Sequence, residues 1–394
     1  MREPGSAAVP TPRCGAPSAR RAALADRFDP RRNALNAIRL ALAVVVIVSH
    51  TWVLGGYGDE PQLGGANLGA WAVLGFFGLS GFLITGSRLR TSAGRYYLAR
   101  ALRIVPGFAV CLVVTAFVVA PVIAVLGTGG WDAASAATYV VRNAALYPYA
   151  PPGLVQPSIG AVLSGAPYPA LNGSLWTLFW EAGCYLLVGV GVSLLPRRLL
   201  TPAVVAAFGA TTALAAVLHA LGQPGPAVLE RPLQMVSAFM AGAVLLLLSH
   251  RLPLGAASGV SAVVLAGVVI TGTAGPLAAL PLTLLLLAAS VVLPLARVGA
   301  RRDLSYGVYV YGFAVQQLLV AAGLHRHVPP LVFVLVALVV VTPVAWASFV
   351  VVEAPAMRLA RRGPVGRTAA AQPLVVDLRE PALPVAVRTP QRER

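Results

Sequence analysis

The chain has 394 residues, of which 58% are hydrophobic and only 11% charged, where a soluble domain carries about 25% charged residues. That balance excludes an ordinary water-soluble domain and points to an integral membrane protein. A formal net charge of +17 would suggest a nucleic-acid partner in a soluble protein, but every basic residue here is arginine and their placement speaks for topology instead.

Apolar runs long enough to span about 30 Å of hydrocarbon recur ten times, at about 37–55, 68–87, 104–126, 174–195, 202–221, 232–249, 258–274, 276–294, 305–323 and 330–352. Open strands cannot satisfy their backbone in lipid, so these runs are expected as helices. The fold class is all-α, a polytopic membrane bundle of about ten transmembrane helices. With the N-terminus inside, 27 of the 30 arginines fall on the cytoplasmic side and only Arg142, Arg231 and Arg326 outside, the positive-inside bias. Residues 1–35 and 357–394 read as disordered, Arg/Pro-rich cytoplasmic tails, flanking one membrane domain over 36–356. No cleavable signal peptide is expected, and the first span reads as a signal anchor. Cys14, Cys111 and Cys184 have neither metal-ligand spacing nor a disulfide framework, so no metal site is expected.

The first span carries Arg39 at its start and His50 eleven residues later. Eleven residues make about three helical turns, so the two share nearly one stripe, with the imidazole about 16 Å deeper. An ionisable group at that depth costs about 2.5–3.5 kcal/mol on insertion scales. It is either a structural histidine bonded to a neighbouring helix or a working acid–base group. The second span holds Gly75-Phe76-Phe77-Gly78-Leu79-Ser80-Gly81, whose small residues favour close helix packing.

The loop from Ser87 to Arg103 is arginine-rich, with Arg100 and Arg103 at i, i+3 on one face. Guanidinium forks bind phosphate bidentately, although charge beside lipid headgroups explains them equally well. The outer segment 127–173 is rich in Pro, Gly and Tyr, with a short helical stretch near 137–146, and its length suits covering a site.

In the fourth span Thr177, Glu181 and Tyr185 are spaced by four and share a face. Glu181 lies about 10 Å below the outer surface, a depth comparable with that of His50. A carboxylate there would hold the imidazole's tautomer; the structural alternative is a glutamate that fixes helix packing. The run Ser305-Tyr306-Gly307-Val308-Tyr309 with Gln316-Gln317 suits either a substrate cleft or interhelical hydrogen bonds.

In order and spacing these residues resemble the membrane acyltransferase 3 family over about 33–360. The resemblance is carried by Arg39 and His50, the Phe-Phe-Gly-Leu-Ser-Gly-Phe-Leu-Ile-Thr run at 76–85, and Arg100 and Arg103 before Ile104 and Pro106. Ser-Leu-Trp at 174–176 with Glu181, the tyrosine run at 305–309 and Val352-Glu353-Ala354-Pro355 complete it. Relatives commonly carry a histidine near Gly312 or Phe313, and this chain does not.

The resemblance implies a bacterial inner-membrane O-acyltransferase with both termini cytoplasmic. It would move an acyl group, commonly acetyl, from acyl-CoA to a hydroxyl of a cell-envelope or exported glycan or a related acceptor. No bound cofactor is implied, because acyl-CoA is a co-substrate, and the partners are the donor, the acceptor and membrane lipid rather than nucleic acid. His50 becomes the catalytic histidine and Glu181 the carboxylate supporting it. Arg100 and Arg103 belong to the donor-binding motif, with Arg39 steadying an oxyanion or a phosphate. The alternative is a proton-coupled transporter or flippase for a lipid-linked glycan, with His50 and Glu181 as a relay.

Overall fold

A computed structural model of the chain describes residues 22–127, 129–144, 159–222 and 227–361. A helix lies at each of the ten expected positions: α1 (Leu35–Leu54), α2 (Leu68–Arg90), α3 (Ala93–Leu126), α4 (Trp176–Leu194), α5 (Arg197–Leu221), α6 (Ala227–Leu247), α7 (Leu254–Ile270), α8 (Ala279–Val292), α9 (Ser305–Ala321) and α10 (Pro330–Ala360). Six of them, α1 to α5 and α10, are long and apolar enough to cross a membrane by length and composition. Among the described residues the β structure is a two-residue antiparallel pair, Gln62–Leu63 with Ala66–Asn67, and an isolated bridge between Ala23 and Pro253.

The centre of the bundle is α2, which packs against α1, α4, α6 and α8. In lipid, helices associate through close packing rather than the hydrophobic effect, and small residues let their backbones approach. A Cβ on Gly81 would lie 1.9 Å from the Phe239 carbonyl oxygen of α6, and one on Gly242 would lie 2.0 Å from the Gly78 oxygen. The glycines of the second span therefore set the contact between α2 and α6. Helix α9 is buried on nearly every side, between α1 and α10.

Local chemistry positions the turn between α1 and α2. Asn67 caps α2, its Oδ1 accepting from the Ala70 amide at 2.7 Å, an interaction worth about 1 kcal/mol. Gly64 and Gly65 both have positive φ, 59° and 81°, as a two-residue hairpin turn of the primed type requires.

Two helices carry a π turn. That in α3, over Thr115–Val119, leaves the Ala116 carbonyl free to accept from the Trp131 indole at 2.9 Å. That in α10, over Phe349–Glu353, carries the buried Glu353.

The expected unstructured tail through residue 35 is corrected from residue 22 onward. A short helix, Leu24–Arg27, follows, and the Leu24 amide donates to the Leu252 carbonyl at 3.0 Å. Leu24 is fully buried and Phe28 packs edge-on against Phe82; two apolar side chains with a place to dock are enough to order the strap. At the other end α10 runs on through the expected boundary at 356. The tails at 1–21 and 362–394 lie outside the described residues, as does 145–158 of the long segment. The rest of that segment contains the expected short helix, at Ala133–Ala144.

Candidate active site

Two cavities stack along α1. One, about 110 Å³, is lined by Arg39, Ser80, Arg100, Arg103, Glu181 and Tyr306 among others. The other, about 660 Å³, is lined by His50, Glu60, Trp176, Trp180, Arg231 and Phe313 among others, a size typical of small-molecule sites. Since Arg39 and His50 lie about 16 Å apart along one helix, the cavities follow each other along the bundle axis. Val73, Thr177 and Tyr309 line both and form the partition between them.

In the histidine cavity, His50 Nδ1 lies 2.7 Å from Glu60 Oε1. The turn after α1 folds back over the helix end and delivers this carboxylate. The Ser49 hydroxyl accepts from the Gly69 amide at 2.9 Å and ties α1 to the first turn of α2, closing the base of the connecting turn. Burial pushes the Glu60 carboxyl upward, but the His50 hydrogen bond and charge, the Arg231 charge and the Ser49 hydroxyl outweigh it and hold the group below the usual carboxylate range. Phe313 meets the imidazole edge to face at 5.2 Å and fixes the ring plane.

Glu181 does not supply the carboxylate at His50. It lies on the other side of the partition, accepting from Tyr185 and, at 3.4 Å, from Ser80. The expected equal depth does not hold: Glu181 lies one helical turn past Thr177, in the cavity it shares with Arg39, and a carboxylate on the turn after α1 reaches the imidazole instead.

The arginine cavity is organised by a residue the sequence did not single out. One oxygen of Asp303, Oδ2, receives both Arg39 Nη1 at 2.8 Å and Arg103 Nη2 at 2.9 Å. Its second oxygen accepts from the Ser305 hydroxyl at 2.5 Å. Burial raises the Asp303 carboxyl, and the two guanidiniums and Ser305 overcome this and lower it. Arg103 also reaches Glu353 at 3.4 Å, and Ser348 donates to the other Glu353 oxygen at 3.2 Å.

Arg39 and Arg103 are thus already paired. Arg100 differs: its Nε is buried with no hydrogen-bond partner among the described residues. No cluster of potential metal ligands occurs among the described residues.

Asp303 and Glu60 both lie in loops, where no periodicity marks them. The one available signal for Glu60 was an acidic pair, Asp59-Glu60, ten residues from the intramembrane histidine.

The geometry now has relatives to set beside it. An O-acetyl transferase of Shigella phage Sf6 is 30% identical over 174 residues, 41% of this chain and 46% of that protein, so the match spans about half of the relative's length. Nodulation protein 10 of Rhizobium leguminosarum bv. viciae is 28% identical over 366 residues, 83% of this chain and 94% of that protein. No solved structure matches the chain. The family model that matches, described as an acyltransferase domain, covers residues 32–350, and the chain belongs to this acyltransferase 3 family.

Proposed function

We propose that the protein is a multi-pass inner-membrane O-acyltransferase. It takes an acyl group, most simply acetyl, from acyl-CoA at the cytoplasmic face and passes it to a hydroxyl of an envelope or exported glycan. The observation that carries this reading is the pair of cavities with different chemistry, separated by three side chains. A guanidinium-lined pocket suits the phosphates of coenzyme A. A larger pocket with an imidazole–carboxylate pair and two tryptophans suits a sugar hydroxyl. The distribution of arginines supports ten crossings with both termini in the cytoplasm.

Glu60, held ionised, accepts a hydrogen bond from His50 Nδ1–H, which keeps that proton on the ring and leaves Nε2 as the free base. The acceptor hydroxyl gives its proton to Nε2 as its oxygen attacks the thioester carbonyl. When the tetrahedral intermediate collapses, the C–S bond breaks and the same proton passes to the departing thiolate. Asp303 holds Arg39 and Arg103 as a fixed positive wall, and the unpaired Arg100 is the guanidinium free to grip phosphate.

The test is transfer of labelled acetyl from acetyl-CoA to an alkali-labile ester in membrane vesicles carrying the protein. His50→Ala is expected to abolish the label without loss of folded protein. Turnover unchanged by His50→Ala removes the histidine from the chemistry. Glycan movement that needs a proton gradient and no acyl-CoA favours a transporter instead.

A further inference from the structure

We infer that Tyr309, with Thr177 as its partner, is the hydrogen-bond donor to the carbonyl oxygen of the thioester and to the oxyanion formed from it. The inference rests on the acyl-transfer reading above and adds a catalytic residue to it.

Among the described residues only Val73, Thr177 and Tyr309 line both cavities, so a thioester reaching from the arginine side toward His50 passes these two hydroxyls. Tyr309 lies one helical turn from Phe313 on α9, about 6 Å along the axis, and Phe313 is the ring that packs on His50. Tyr309 therefore lies one turn nearer the arginine cavity than the ring that packs on His50, on the side from which the donor arrives.

The hydrogen bonding leaves a proton to spend. Tyr309 Oη is 3.1 Å and Thr177 Oγ1 3.2 Å from the same acceptor, the Ser174 carbonyl. The two hydroxyls are 2.6 Å from each other. The two hydroxyl protons serve three short contacts: one satisfies the Ser174 carbonyl and the other lies between the two hydroxyls. When a thioester oxygen arrives, Thr177 keeps the Ser174 carbonyl satisfied while the phenol turns its proton to the substrate. No buried acceptor is orphaned by the exchange, which is what makes it cheap. The other tyrosines of the arginine cavity lack this freedom: Tyr306 donates to the Ile104 carbonyl at 2.8 Å and Tyr185 to Glu181.

In the step, the acceptor oxygen bonds to the carbonyl carbon as its proton moves to His50 Nε2. The carbonyl π pair moves onto oxygen, where the Tyr309 hydroxyl stabilises it. Collapse restores the carbonyl, breaks C–S and returns the His50 proton to the coenzyme A thiolate.

The experiment compares Tyr309→Phe, Thr177→Val and Thr177→Ser with wild type and His50→Ala, following acetyl-CoA turnover in vesicles. Tyr309→Phe keeps the ring that packs on Phe76. Its kcat is expected to fall about 10²–10³-fold, as for loss of one oxyanion donor, with KM for acetyl-CoA within about twofold. Thr177→Val is expected to slow turnover by less and Thr177→Ser to restore it. Wild-type kcat in Tyr309→Phe, or a raised KM at unchanged kcat, overturns the inference. Should Tyr309→Phe fold poorly, the threonine pair decides: equal rates in Val and Ser variants overturn it. A wild-type protein without turnover sinks the acyl-transfer reading and this inference together, whereas activity in Tyr309→Phe alongside a dead His50→Ala sinks this inference alone.

Discussion

Glu60 and His50 meet at 2.7 Å although ten residues separate them, one on the turn after α1 and the other within α1. A carboxylate in that place selects the tautomer and stabilises the imidazolium that forms during proton transfer. Glu60→Gln keeps the shape and removes the charge. Acetyl transfer is expected to fall by about 10²–10⁴-fold, the range of a general acid–base contribution, with acetyl-CoA binding unchanged. Transfer rates and donor affinity measured side by side check this.

The same carboxylate makes stability depend on pH. Glu60 is held below its ordinary value of 4.5 and Asp303 below its ordinary value of 3.8. A depressed carboxylate lends stability that is whole above the unfolded value and is lost as pH falls through the folded one. Melting temperature in detergent is therefore expected to hold from neutral pH to about 4.5 and to drop below it. Glu60→Gln flattens part of that drop, and a variant profile parallel to wild type contradicts the assignment.

Asp303 joins two guanidiniums through one oxygen. Asp303→Asn leaves Arg39 without its ion pair and Arg103 with the 3.4 Å ion pair to Glu353 alone, and breaking a buried pair costs about 3–5 kcal/mol. A large fall in melting temperature is expected, greater than that from Arg39→Ala, which removes one of the two charges along with its bridge.

Arg100 and Arg103 separate by role. Arg100→Ala is expected to weaken acetyl-CoA binding about tenfold or more, the loss of one or more charge-assisted hydrogen bonds, with little change in melting temperature. Arg103→Ala strips partners from Asp303 and Glu353 and is expected to lower stability first. Donor binding and thermal melts on the two variants distinguish them.

Gly81 faces the backbone of α6, where an added methyl would meet the Phe239 carbonyl at 1.9 Å. Backbone cannot swing aside as a side chain can, so Gly81→Ala forces α2 and α6 apart. Overpacking costs about 1–3 kcal/mol or more, and a lower melting temperature and yield of folded protein are expected. Gly94→Ala, with nothing within 4 Å, is the control.

Helices were legible because each apolar run is a local property, and the positions of α1 to α10 follow from it. The split between α7 and α8 was legible in Gly272, which takes φ 71°. Arg39 and His50 on one stripe, and Arg100 and Arg103 on one face, follow from helical spacing alone. What spacing does not carry is the return of loops. Asp303 pairs with Arg39 across 264 residues, and no pattern near either announces the other. Glu181 shows the converse: counting residues from the start of α4 put it level with His50, but it falls a turn past Thr177 on the arginine side, because the axial register of α4 against α1 is set by tertiary packing. The ordered strap at Leu24 was hidden by the arginines and prolines around it.

A bilayer protein hollowed along its axis faces a demand that no soluble enzyme meets: it must not short-circuit the proton gradient of the cell that houses it. Here the two hollows are divided by Val73, Thr177 and Tyr309, one aliphatic side chain and two hydroxyls 2.6 Å apart. Any water column running through both hollows would have to pass these three side chains. Small side chains at all three positions are then expected to raise the proton permeability of vesicles carrying the protein, a readout independent of catalysis.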